Sequence, residues 1–199
     1  MDEDLADDGP RTVEGRRGPA DRLEALFDPL TELPGAALFR DRLEQAISLA
    51  RRRRALVGIL VLGLTGLARH VESLGAEAGD FLRREAALRL RETLRESDSL
   101  ARLEDDRFAV VLPLIEDSGS AREAARRLLA SLVRPIHLGG EELDLAPFAG
   151  GALYPLDGAG PSQLIDDANF ALAWARRSAR RDVVLFEDTP GVSDGRWAV

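Results

Sequence analysis

Few side chains in this sequence stand where they could do chemistry, and most of them are arginines and carboxylates. Arg95 and Asp98 are three residues apart, shortly before the run Glu104, Asp105, Asp106, Arg107 and Phe108. An arginine offers a planar fork of donors, and an aspartate accepts from N–H donors. The plainer reading is a surface ion pair at a helix end, worth well under about 1 kcal/mol. Arg126 and Arg127 lie on a later helical stretch, while Arg176, Arg177, Arg180 and Arg181 make a basic stripe that reads as a solvated helix face. Arg51, Arg52, Arg53 and Arg54 end another helix, where cations complement the macrodipole, a simpler account than a polyanion site. His70 and His137 are the two histidines; neither has a second histidine or a carboxylate cluster at metal-ligand spacing, and both read as structural. Trp174 sits one helical turn from Phe170 and reads as packing, and Trp197 falls near the C-terminus. The absence of cysteine excludes disulfides, thiolate metal sites and cysteine nucleophiles, and accords with a reducing cytoplasm.

A chain of 199 residues, 45% hydrophobic and 31% charged, suffices for one domain with short tails, and a second domain is not expected. Aromatics make up 5%, so the core must be aliphatic, built from helices on a sheet. Residues 1–20 are acidic, apolar-poor and without periodicity, and are expected to be a disordered tail; the domain is placed at 21–188 and a C-terminal tail at 189–199. No stretch reaches the roughly 20 apolar residues that span a bilayer, and the N-terminus lacks the form of a signal peptide. The expectation is a soluble, cytoplasmic protein without membrane contact. A net charge of -8 argues against general affinity for a nucleic acid polymer, though a local basic patch could hold a small phosphate ligand.

Hydrophobic periodicity supplies the elements. Leu38, Phe39, Leu43, Ala46, Ile47 and Ala50 recur at three and four, predicting a helix over 33–54 with Pro34 in its first turn. Residues 55–62 are apolar on both faces, as a buried central strand would be. Helical patterns over 67–74 and 78–95 divide at Gly75. The runs 100–103 and 108–112 read as a hairpin turning through the acidic residues, since aspartate tolerates positive φ better than most. A helix over 120–133, a Gly139-Gly140 hairpin between 136–138 and 143–145, a strand over 148–154, a helix over 162–179 and a last strand over 183–186 complete the chain.

This order, with its local sequences, resembles the GGDEF domain over about residues 26–186. Asp28, Leu30, Thr31, Leu33 and Phe39 fit the family's D-x-L-T-x-L-x-x-x-x-x-F, and LGAEAGD, ending at Asp80, is similar to LGH-x-x-GD. RESDSLARLEDDRFAVVLP fits R-x-x-D-x-x-A-R-x-GGDEF-A-V-x-L-P with the signature rewritten, and ALYPLDG and LIDDANFALAWARRSARR are similar to the later motifs. Several such matches in order are specific where one would be weak. The resemblance implies an α+β fold, an α/β sandwich of the nucleotidyl cyclase palm type, with a mostly antiparallel central sheet flanked by helices.

It also implies where cyclase chemistry would reside. Condensing two GTP molecules needs metal ions that neutralise phosphate charge and activate the attacking hydroxyl. The family's first-strand carboxylate corresponds to Gly63, and the signature reads Glu104, Asp105, Asp106, Arg107, Phe108, so the third-position acid survives while the fourth has become arginine. The two signature glycines have become anions, and like charges about 4 Å apart repel by roughly 1 kcal/mol even in water. Val71 stands for the guanine-binding asparagine, Asp80 keeps the second guanine contact, and Arg176 and Arg180 match the cations that contact the triphosphate. The expectation is a domain with no catalytic residues, metal or cofactor.

A second site of the family binds cyclic di-GMP through an R-x-x-D motif ahead of the signature, matched here by Arg95 and Asp98, with Arg126 or Arg127 supplying a further arginine. The resemblance therefore implies an inactive cyclic di-GMP receptor acting through a protein partner or a homodimer. The competing expectation is a ligand-independent interaction module that keeps only the scaffold.

Overall fold

Strand β1 (Leu56–Thr65) is the axis around which the rest is arranged; eight of its ten residues are buried, as a strand covered on both faces requires. The computed structural model describes residues 26–104, 106–190 and 192. Around β1 run α1 (Ala36–Arg53), α2 (Leu67–Leu74), α3 (Ala76–Thr93), β2 (Ser99–Arg102), β3 (Arg107–Ile115) and α4 (Ser118–Val133). They are followed by β4 (Ile136–Leu138), β5 (Glu141–Leu143), β6 (Ala146–Tyr154), α5 (Pro161–Arg177), β7 (Val184–Leu185) and a 3-10 turn, Phe186–Asp188. Five strands form one mixed sheet in the order β2-β3-β1-β6-β7, antiparallel except at β6-β7; β4 and β5 form a separate hairpin.

The two-residue period of the strands sorts side chains to two cores. Leu60 and Leu62 of β1, with Phe108 and Val110 of β3, pack against α3 and α4 through Leu82, Leu90 and Leu128. Ile59 and Val61, with Ala109 and Val111, pack against α1 and α5 through Phe39, Leu43 and Leu172. This is the α+β sandwich expected, with helices on both faces. Phe108, fully buried, contributes on the order of 1.5–3 kcal/mol to this packing. The last signature position therefore serves the fold. No helix among the described residues is long and apolar enough to cross a membrane.

Three expectations are corrected. Helix α1 begins at Ala36, not ahead of Pro34. Pro34 bridges Phe27, its carbonyl accepts from the Arg102 N–H at 2.9 Å, and Gly35 donates to the Leu26 carbonyl at 2.7 Å, which holds the chain extended until the helix starts. The second hairpin is tighter than expected: β5 ends at Leu143, because Gly139 and Gly140, at φ 59° and 90°, close a two-residue turn. The last strand stops at Leu185, whose N–H donates to the Asp188 carboxylate at 2.9 Å and bends Phe186 into the 3-10 turn. Packing continues through the fully buried Thr189, into the stretch read as tail. The N-terminal tail at 1–20 lies outside the described residues.

Candidate functional site

Helix α3 ends at Thr93, and the chain then turns tightly through residues 95–98 into β2. Asp98 builds the turn: one carboxylate oxygen accepts from the Arg95 N–H at 3.0 Å, the other from the Ser97 hydroxyl at 3.3 Å, and the Asp98 N–H donates to the Arg95 carbonyl at 3.0 Å. The surface ion pair is therefore not what forms. Among the described residues the Arg95 guanidinium meets no carboxylate, while Asp98, with about four acceptor sites, retains capacity to bind another donor.

Arg95, Ser97 and Asp98 line a cavity of about 240 Å³, closed on its other side by Ser120, Glu123 and Arg127 of α4. Arg127 leans on Glu123 at 3.2 Å, one helical turn back. Arg126 points elsewhere and holds Asp182 through two bonds of 3.1 and 3.0 Å. Of the two arginines left open by the sequence, geometry brings Arg127 to Arg95 and Asp98, and leaves Arg126 in an ion pair on the far edge of α4.

The signature hairpin occupies the end of the sheet beside β1. Gly63 is paired across the strands with Arg107, whose guanidinium donates to the Asn169 side-chain carbonyl of α5 at 3.3 Å. A side chain added at Gly63 would abut Leu172 at 3.4 Å. Asp106 and Asp80 are bridged by Arg83, at 2.9 and 3.2 Å, so both surviving acids are partly neutralised by an internal cation. Val71 packs over Gly79, filling the space that a Cβ there would need. Among the described residues no three His, Cys, Asp or Glu side chains form a metal-holding group. Glu104 is exposed, the hairpin closes through the Leu103 N–H to the Arg107 carbonyl at 2.9 Å, and neither Glu104 nor Asp106 needs a positive φ. Asp105 lies outside the described residues. Arg176 and Arg180 are exposed at the end of α5. His70 is buried and bonds the Asp144 carbonyl at 2.9 Å, His137 is exposed on β4, and Trp174 packs with Ala171 and Val184 beneath Arg177.

The sequence named two members of one further polar arrangement without its bonds, and gave no sign of a second. Asp28 accepts from the Thr31 N–H and hydroxyl, at 2.8 and 2.6 Å, and from Arg102 at 2.6 Å. Burial pushes its carboxyl up, but the bonds from Arg102 and Thr31 outweigh that and hold it below its ordinary value. This staple ties the segment before α1 to β2; the aspartate three residues before a threonine was its only local trace. The other is Asp167 on α5, where burial, then Asp157 and Asp166, push the carboxyl up to about 6. One of its oxygens is closed from solvent without a partner.

Because the folded-state value of Asp167 lies above the ordinary 3.8, the folded protein binds more protons between about pH 4 and 6, and this residue destabilises it as pH rises through that window. Asp167→Asn is therefore expected to raise the urea midpoint over wild type at pH 7.5, with the difference shrinking towards pH 4. A variant no more stable at pH 7.5 than the wild type would contradict the assignment.

The family model described as "Diguanylate cyclase, GGDEF domain" matches residues 25–182. The chain belongs to the GGDEF family. It is 36% identical over 158 residues to the diguanylate cyclase TpbB of Pseudomonas aeruginosa, covering 79% of this chain and 36% of TpbB. It is 32% identical over 165 residues to the cyclic di-GMP phosphodiesterase NbdA of the same organism, covering 83% of this chain and 21% of NbdA. The GGDEF chain thus spans about a third or less of these relatives, whose names carry different chemistries. The solved GGDEF domain of TpbB superposes with a TM-score of 0.79 at 35% identity, covering 85% of this chain and 97% of that one. The GGDEF domain of DgcB from Caulobacter crescentus, solved in complex with cyclic di-GMP, shares the fold with a TM-score of 0.75 at 21% identity, covering 87% and 99%.

Proposed function

We propose that this GGDEF domain is a catalytically silent signalling module that binds cyclic di-GMP through Arg95, Asp98 and Arg127. The observation that carries the reading is their convergence on one cavity, with a guanidinium free of carboxylates at Arg95 and spare acceptor capacity at Asp98. Arginine forks match phosphate oxygens and the Hoogsteen edge of guanine, and a carboxylate accepts from guanine N1 and N2. The cavity of about 240 Å³ adjoins two shallower depressions that share Arg95 and extend the surface available to a ligand. The DgcB complex supports the chemistry by analogy of fold.

Catalytic silence rests on the other end of the sheet. Gly63 has no carboxylate, Arg107 places a cation directly across from it, Arg83 engages Asp80 and Asp106, and Val71 offers guanine no hydrogen bond. We take the domain to work in the cytoplasm, passing occupancy on by contact with a protein partner or a second copy.

Calorimetric titration with cyclic di-GMP tests the site, and the two neighbouring arginines sharpen it. Arg127→Ala should weaken binding about tenfold or more, whereas Arg126→Ala, which removes an ion pair outside the cavity, should leave affinity within about twofold. The reverse order would remove Arg127 from the site.

A further inference from the structure

A second pocket, sharing no lining residue with the Arg95 cavity, lies between α1, the signature hairpin and α5. It measures about 310 Å³. Phe39, Leu103 and Ile165 give it apolar walls, and Arg40, Arg107 and Asn169 bring polar groups into it. We propose that it is a binding site for a small phosphomonoester.

Arg107 carries the argument. It is half-buried, and among the described residues its guanidinium is met by a neutral amide, Asn169, and by no carboxylate. Of the other half-buried arginines, Arg83, Arg89, Arg102, Arg122 and Arg127 each have an acid within ion-pair distance, and Arg42 on the outer side of α1 shares with Arg107 the lack of one among the described residues. A partly desolvated cation without a counter-charge is costly, and an anion in the same pocket relieves that cost. Arg40 adds a second guanidinium. One of its nitrogens donates to Ser162 at 2.7 Å, which steers the side chain across from α1 to α5, and its remaining donors meet no acid among the described residues. Two forks from separate elements can hold several oxygens of one tetrahedral oxyanion.

The pocket also receives the start of α1. Gly35 caps that helix without a side chain, and the N–H groups of Ala36 and Ala37, both lining residues, have no acceptor among the described bonds. Their partial positive charge adds to that of the two arginines. Among the described residues Glu104 is the one carboxylate of the lining, and its repulsion grows with the charge of the bound anion, which favours a monoester over a polyphosphate. The apolar walls fit the organic body of such an ester better than free phosphate.

Titration with phenyl phosphate, inorganic phosphate and benzoate, read by calorimetry and by the Arg107 Nε–H resonance, tests the site. Phenyl phosphate should bind saturably at about millimolar concentration, more tightly than inorganic phosphate or benzoate, and more weakly as salt is added. Arg107→Gln and Arg40→Gln should each weaken it about tenfold, with Arg126→Ala, whose ion pair with Asp182 lies outside both pockets, unchanged. If Arg107→Gln fails to fold, Arg40→Gln, at an exposed helix position, carries the test. No saturation by about 10 mM phenyl phosphate, equal binding of benzoate, or binding indifferent to both substitutions overturns the proposal.

Discussion

Incubated with GTP and magnesium or manganese, the purified domain is expected to yield neither pppGpG nor cyclic di-GMP. Joining two nucleotides requires metal ions held at the reacting phosphates by carboxylates fixed in place. At the end of β1 that position is Gly63, and the residue paired with it is Arg107, so this rung of the sheet supplies no carboxylate. Loss of a residue that merely orients a metal ligand typically costs about 10–100-fold in affinity or activity, and loss of the ligand itself costs more. Substrate binding is expected to lose as well. At the position of the family's asparagine, Val71 would leave a guanine edge unpaired, at about 1–3 kcal/mol, and Asp80 is engaged by Arg83. Restoring the fourth signature acid with Arg107→Glu should not recover turnover, because Gly63 still supplies no ligand. Metal-dependent product that tracks with the pure wild-type protein, or turnover regained by that one substitution, would show the ligand count to be wrong.

Arg95→Ala is expected to weaken cyclic di-GMP binding by roughly ten- to a hundredfold, since a charged hydrogen bond to a phosphate or guanine contributes about 1.5–3 kcal/mol. Asp98 should behave differently from a simple contact. Its carboxylate accepts from the Arg95 N–H and so sets the direction in which the arginine leaves the turn. Asp98→Ala is therefore expected to cost more affinity than Arg95→Ala, and Asp98→Asn, which can still accept from that N–H, should recover part of it. Arg176→Ala, at the exposed end of α5, should have little effect. Full binding by Arg95→Ala would exclude the proposed site.

Most of the scaffold could be read from the residues because the patterns that encode it are local. An unbroken apolar run marks β1, and apolar spacing of three and four marks α1 and α4. Boundaries set by distant partners could not. The late start of α1 depends on Arg102, far along the chain, reaching the Pro34 carbonyl, and the early end of β7 depends on Asp188 bending the chain back. The same division holds at the sites. Spacing named Arg95 and Asp98 but not the turn bond between them, and it left Arg126 and Arg127 equivalent until Asp182 was found to engage one of them. Arg107, read as a lost carboxylate, proved to face a pocket with Arg40, and that pairing between elements has no local sequence trace. The unpartnered oxygen of Asp167 was equally hidden, because burial is a property of the assembled helices.

The central claim, that this GGDEF domain binds cyclic di-GMP without making it, is tested most directly by calorimetric titration of the wild-type protein with the dinucleotide at two salt concentrations. The account predicts saturable binding, with affinity falling as salt rises, because Arg95 and Arg127 would meet the ligand's phosphates. Absence of binding at high micromolar ligand would contradict it and leave the domain as a scaffold for contacts with other proteins.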